Sequence, residues 1–183
     1  ARAAFGTNNI DHCARLCHSS SVSAMGMAFG HAAMTNAPQE IPEADVIFIL
    51  GHNTSENHPV IAGAIKRAVR AGTARLIVMD PRRTEVSLLA DVHLRPRGGT
   101  DVAVLNGLPH VILEEGLHNQ AFIGERTEGF EVFKASLATY TPDWVEELSG
   151  VPAEDLRRAA RLYASAKSAM MFHGMGMTQH TTG

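Results

Sequence analysis

At 183 residues the chain is long enough for one α/β domain with a full core and short for two. Hydrophobic residues make up 45% and charged residues 19%, and 16 Lys and Arg against 19 Asp and Glu leave a formal charge of −3, which offers no basic field for nucleic acid. Charged and polar residues interrupt every stretch approaching the roughly 18 apolar residues of a membrane-spanning helix, so no membrane span is expected.

The first residues, ARAAFGTNN, have neither an initiator Met nor the charged-then-apolar layout of a secretory signal, and a longer parent chain is expected. Next comes His12-Cys13-Ala14-Arg15-Leu16-Cys17-His18, which holds both cysteines of the chain. Two cysteines are too few for a disulfide framework and favour a reducing compartment, cytoplasmic rather than periplasmic. Three readings of the run stand open on spacing alone: a metal cluster such as zinc, a buried inert pair, and a reactive thiolate at Cys17 before a helix N-terminus. A thiolate is also the soft ligand that a molybdenum ion accepts.

Ser19 to Thr35 is rich in small residues and Met, and reads as a packed helix starting at a Ser cap. Pro38 to Glu43 reads as a polar linker, so residues 1–40 are taken as an N-terminal segment and residues 41–183 as an α/β domain. Ala44 to Leu50 is a continuous apolar run ending at Gly51, the pattern of a buried parallel strand. His58 to Ala71 has apolar residues at helical spacing and Gly72 as a stop. Arg75 to Met79 is a second strand and Asp91 to Leu94 a short third, with one helical turn predicted between them at Thr84 to Leu89.

Val102 to Glu115 is helical by spacing, with Pro109 expected to kink it. Asn119 to Leu148 reads as short helices broken at Gly129 and Thr141-Pro142, Pro152 to Ala166 as a clear amphipathic helix, and Ala169 to Phe172 as the last strand. Alternating strands and helices predict a parallel, doubly wound, Rossmann-like sheet flanked by helices, with an N-terminal helical segment.

Ligands of such sheets bind at the carboxyl ends of the strands. Those ends are decorated here by Gly51-His52-Asn53-Thr54-Ser55-Glu56-Asn57, Asp80-Pro81-Arg82-Arg83, Gly98-Gly99-Thr100-Asp101 and Gly174-Met175-Gly176-Met177-Thr178-Gln179. Glycines let backbone approach a phosphate, while carboxylates and amides read ribose hydroxyls or a purine edge. Neither a G-x-G-x-x-G fingerprint after the first strand nor a P-loop occurs, so an ordinary nicotinamide or nucleoside-triphosphate site is unsupported.

Taken together, NNIDHCARLCH, ILGHNTSENHP, MDPRR, GGTD, GLHNQAFIGERTEGFE, YTPDWVEELSGV and AKSAMMFHGMGMTQH resemble the molybdopterin oxidoreductases that carry bis-molybdopterin guanine dinucleotide, most closely the formate dehydrogenase alpha subunits. The resemblance implies that Cys17 ligates molybdenum and that His18 handles a proton or orients formate, which is oxidised to carbon dioxide as two electrons pass to molybdenum. It implies cofactor contacts by Gly51, Asn53 and Asn57 on the phosphate and pterin side, by Asp80, Pro81, Arg82, Gly99 and Asp101 around guanosine, and by Met175, Gly176 and Gln179 near the metal. His52 stands where the family often has an aromatic residue and receives no role.

The family's four-cysteine motif for a 4Fe-4S cluster is not in these residues, so cluster and electron-transfer subunits are expected only of a full-length protein. The 183 residues alone are expected to be inactive. A nitrate reductase, or a non-catalytic nucleotide-binding domain, is the alternative.

Overall fold

The computed structural model of the chain describes residues 2–180. Three helices come first: α1 (Arg2–Phe5), α2 (Ala14–Cys17) and α3 (Ser19–Phe29). α3 is shorter than its composition predicts, because Gly30 takes a left-handed conformation and closes the last turn onto the Gly26 carbonyl. His18, rather than a serine, occupies its N-cap position, and it makes no side-chain cap. Pro38–Glu43 is not a linker but a 3-10 helix, whose Ile41 is fully buried against the sheet.

The remaining elements follow as β1 (Val46–Leu50), α4 (Thr54–Asn57), α5 (Pro59–Arg70), β2 (Arg75–Met79), a 3-10 turn at Val86–Leu89, β3 (Val92–Leu94) and α6 (Asp101–Glu114). After them come α7 (Gln120–Arg126), α8 (Phe130–Ser136), α9 (Pro142–Ser149), α10 (Ala153–Ala164), β4 (Ala169–His173) and α11 (Met175–Thr178). The strands form one parallel sheet in the order β3-β2-β1-β4.

Every residue of β1 is buried, because helices cover both faces of the sheet and the two-residue alternation sends side chains into two cores. Val46, Phe48 and Leu50 join Ile77, Met79, Val92 and Leu94 under α6, α9 and α10. Ile47 and Ile49 join Leu76, Val78 and Met170 under α5, where Ile65 and Ala68 seal the opposite face. This is the doubly wound α/β architecture.

α6 approaches α9 and α10 closely at Gly107, where an added Cβ would lie 2.9 Å from a Leu156 methyl and 3.0 Å from a Val145 methyl. Both partners are fully buried and have no room to yield. Gly107→Ala is therefore expected to destabilise the fold by about 1–2 kcal/mol, overpacking outweighing a helix-propensity gain of about 1 kcal/mol. Denaturant titration checks the sign: a stabilised variant would show that the α6–α9–α10 interface is loose.

The strand order sets the position of the site. From β1 the chain steps outward to β2 and β3, then returns to place β4 on the other side of β1. The direction of winding thus reverses between β1 and β4, and a crevice opens at their carboxyl ends.

Candidate active site

Leu50 at the end of β1 is followed by Gly51, and His173 at the end of β4 by Gly174-Met175-Gly176. The two loops cross in backbone contact. Gly174 N donates to Leu50 O at 3.0 Å and Gly176 N to Gly51 O at 2.9 Å. A Cβ on Gly176 would sit 2.6 Å from Gly51 O, and one on Gly51, whose φ is +50°, would sit 2.8 Å from the Gly176 carbonyl carbon. Glycine is required at this crossing because only bare backbone fits.

A cleft of about 570 Å³ opens beside the crossing. That lies inside the roughly 300–1,000 Å³ range of small-molecule and cofactor sites. Gly51, Asn53 and Asn57 line it from the β1 loop, Asp80, Pro81 and Arg82 from the β2 loop, Asp101 from the start of α6, and Met175 and Gly176 from the β4 loop. Cys17 reaches the same cleft from α2.

Three contacts between segments far apart in sequence hold Cys17 there. Thr178 Oγ1 donates to the Cys17 carbonyl at 2.7 Å, Ser20 Oγ to the Thr178 carbonyl at 3.4 Å, and Ser21 Oγ lies 2.9 Å from His173 Nε2. Cys17 is partly buried and Cys13 exposed, both as free thiols, so the two are not a buried inert pair. Among the described residues no three His, Cys, Asp or Glu side chains cluster as metal ligands, which removes support for the zinc reading.

The other expected site residues lie elsewhere. His18 is exposed at the head of α3, outside the cleft lining. Gly99 lines an adjoining pocket of about 200 Å³ shared with Asp101, Ser20 and Ser21. Gln179 lines neither, and its N–H closes the α11 turn onto the Met175 carbonyl at 3.0 Å.

The polar groups of the cleft differ in how far they are engaged. Asp80 is buried at 4% exposure, and its Oδ1 accepts from Arg82 N at 2.8 Å. The Arg82 side chain is exposed, with its Nε 3.6 Å from Asp80 Oδ1, so the guanidinium is available to an anion. Arg97 also lines the cleft, but it donates to the carbonyls of Glu147 and Leu148 at 2.9 and 3.2 Å and so caps α9. Asn53 Oδ1 and His52 Nδ1 are buried without any protein partner. Buried polar atoms are rarely left so, and the pair fits a ligand that completes them.

His52, given no role from the sequence, is 8% exposed on the cleft wall, with its Nε2 2.7 Å from Nδ1 of His58. A position next to the strand-end Gly51 was its only sequence signal. Burial, then the neighbouring charges of His58 and His173, pushes the His52 pKa below its ordinary value. Below about pH 6.5 the unfolded chain then binds more protons than the native one, so stability falls as pH drops through that window. The gap in unfolding free energy between wild type and His52→Gln, read by denaturant titration, is expected to shift against the wild type from about pH 7 to pH 5, by about 1.4 kcal/mol per unit of pKa depression. A gap independent of pH would refute the buried neutral imidazole.

A family model described as molybdopterin oxidoreductase matches residues 1–183. The chain belongs to the molybdopterin oxidoreductase family. It is 45% identical over all 183 residues to formate dehydrogenase H of Escherichia coli, and 49% identical over the same span to the F420-dependent formate dehydrogenase 1 subunit alpha of Methanococcus maripaludis. The 183 residues span 26% and 27% of the lengths of those relatives. Among solved structures, acetylene hydratase from Pelobacter acetylenicus matches with a TM-score of 0.68 and 34% identity, over 73% of this chain and 18% of that one. Membership of the family carries a molybdenum–pterin cofactor with it. No helix among the described residues is long and apolar enough to cross a membrane.

Proposed function

We propose that the chain is part of the catalytic subunit of a molybdenum-dependent formate dehydrogenase. The observation that carries this reading is the 45–49% identity through all 183 residues to proteins named formate dehydrogenases, with Cys17 on the wall of the switch-point cleft in support. The substrate is formate, oxidised as HCO2− → CO2 + H+ + 2e−, and a bound molybdenum–pterin group would supply the two-electron acceptor. The cofactor is of the bis-molybdopterin guanine dinucleotide type. A 4Fe-4S cluster and electron-transfer subunits belong to the full-length protein, in the reducing cytoplasm.

The cleft suits such a group on three counts. The cleft of about 570 Å³ gives room for a bulky ligand, Arg82 offers a cation for phosphate, and buried Asn53 Oδ1 offers an acceptor for a pterin or guanine N–H. In this reading Cys17 would ligate the metal. Asp80, Pro81, Gly99 and Asp101 hold the guanosine ends, Gly51, Asn53 and Asn57 the phosphate and pterin, and Met175, Gly176 and Gln179 the region near the metal. His18 orients formate or takes its proton.

The test is molybdenum analysis together with formate oxidation by the full-length protein. Stoichiometric molybdenum and formate-dependent dye reduction are expected, whereas the 183 residues alone show neither. Molybdenum with nitrate reduction and no formate oxidation would assign a nitrate reductase instead. Guanosine binding without molybdenum would indicate a non-catalytic nucleotide-binding domain.

A further inference from the structure

We propose that Thr178 is a positioning residue for Cys17, setting the main chain at that residue through its carbonyl, an inference that rests on Cys17 acting as the metal ligand in the reading above. Helix α2 ends at Cys17 and α3 begins at Ser19, because His18 between them leaves helical geometry with φ −155° and ψ 23°. His18 N still closes onto the Ala14 carbonyl of α2, and the first hydrogen bond of α3 runs from Val22 N to the His18 carbonyl. The Cys17 carbonyl falls at the break between the two helices, where a terminal acceptor needs a partner from outside. Thr178 Oγ1 supplies it at 2.7 Å, from 161 residues away.

Thr178 can serve as a fixed point because its own main chain is tied at both ends. Its N–H donates to the Gly174 carbonyl at 3.3 Å, and its carbonyl accepts from Ser20 Oγ at 3.4 Å. The loop that carries it is locked to the end of β1, since Gly174 N donates to Leu50 O and Gly176 N to Gly51 O. The branched Cβ of threonine restricts its side-chain torsion, so the hydroxyl keeps its direction. Holding the Cys17 carbonyl holds the peptide plane and, with it, the Cα–Cβ bond of Cys17. One torsion then remains before the sulfur. The central strand thus sets the place of Cys17 by way of Thr178.

The alternative is that the hydroxyl merely satisfies a carbonyl at a helix end. Thr178→Val, which keeps the shape and removes the donor, separates the two roles in the full-length protein, with Thr178→Ser as the conservative rescue. In protein produced without molybdenum, iodoacetamide labelling of Cys17 relative to exposed Cys13, read by peptide mass spectrometry, is expected to rise about two- to tenfold in Thr178→Val, the factor one lost hydrogen bond allows. Serine should return it to the wild-type ratio. In the holoenzyme at equal molybdenum content, valine is expected to lower formate kcat about tenfold or more at unchanged KM, as loss of an outer-shell contact does. Serine should recover most of the rate. Thr178→Ala repeats both readings should the valine variant fail to fold.

An unchanged labelling ratio in the valine variant overturns the positioning role, and so does a loss of kcat that serine fails to recover. Turnover retained in Cys17→Ala would sink the ligand reading instead. An enzyme that needs Cys17 yet turns over normally with Thr178→Val would sink the positioning alone.

Discussion

Cys17→Ala in the full-length protein is expected to abolish formate-dependent turnover, a loss larger than the roughly 10–100-fold typical of removing an outer-shell partner of a metal. Cys17 sits where the winding of the sheet reverses, on the wall of the cleft that also holds Asn53, Asp80 and Arg82. Its main chain is tied to the β4 loop through Thr178, and α3 is tied to the same loop through Ser20 and Ser21. The chain thus anchors the backbone around Cys17 from two directions. Alanine leaves those anchors in place, so folding should be preserved while the proposed ligand is lost. Cys13, exposed one helical turn earlier, is the control, and Cys13→Ala should retain turnover. Equal activities in the two variants would place the metal elsewhere.

Gly176→Ala is expected to destabilise the fold by about 3 kcal/mol or more, the upper end of overpacking effects. The new Cβ would meet Gly51 O at 2.6 Å and Gly51 Cα at 2.8 Å, and these are backbone atoms at the end of the central strand. Relief requires pulling the β1 and β4 loops apart, which breaks the hydrogen bond from Gly176 N to Gly51 O. For a chain of this size the thermal midpoint should fall by about 6–12 °C. Gly72→Ala is the comparison, because Gly72 has φ +73° with nothing within 4 Å of an added Cβ. It carries left-handed strain alone, about 1–2 kcal/mol. Equal melting shifts in the two variants would mean that the crossing is not tightly packed. The Gly176 variant should also lose cofactor, since Gly51 and Gly176 line the cleft.

The sheet was legible because parallel strands buried on both faces appear as continuous apolar runs, and Val46–Leu50 and Arg75–Met79 are such runs. α5 and α10 were legible for the complementary reason: each presents one apolar face at helical spacing and an otherwise polar surface. Strand ends could be placed, and with them the loops that carry Asn53, Asp80, Asp101 and Met175. Whatever depended on contacts between distant segments was not legible. Ile41 looked like part of a polar linker because its burial depends on α5 folding over it.

The necessity of Gly51 and Gly176 cannot be read from either loop, since each excludes a side chain only in the presence of the other. His52 was set aside on the residue type expected at its position, and its pairing with His58 appears only once the α4 turn brings the two rings together. Cys17 is an intermediate case. Its thiol chemistry was readable, whereas its place on the cleft wall depends on Thr178, 161 residues away.

Molybdenum-edge X-ray absorption on the full-length protein, wild type against Cys17→Ala, tests the role of Cys17 most directly. The wild type is predicted to contain molybdenum with one more sulfur neighbour than the variant. Identical sulfur counts in the two spectra, or no molybdenum in the wild type, would contradict the assignment of Cys17 as the metal ligand.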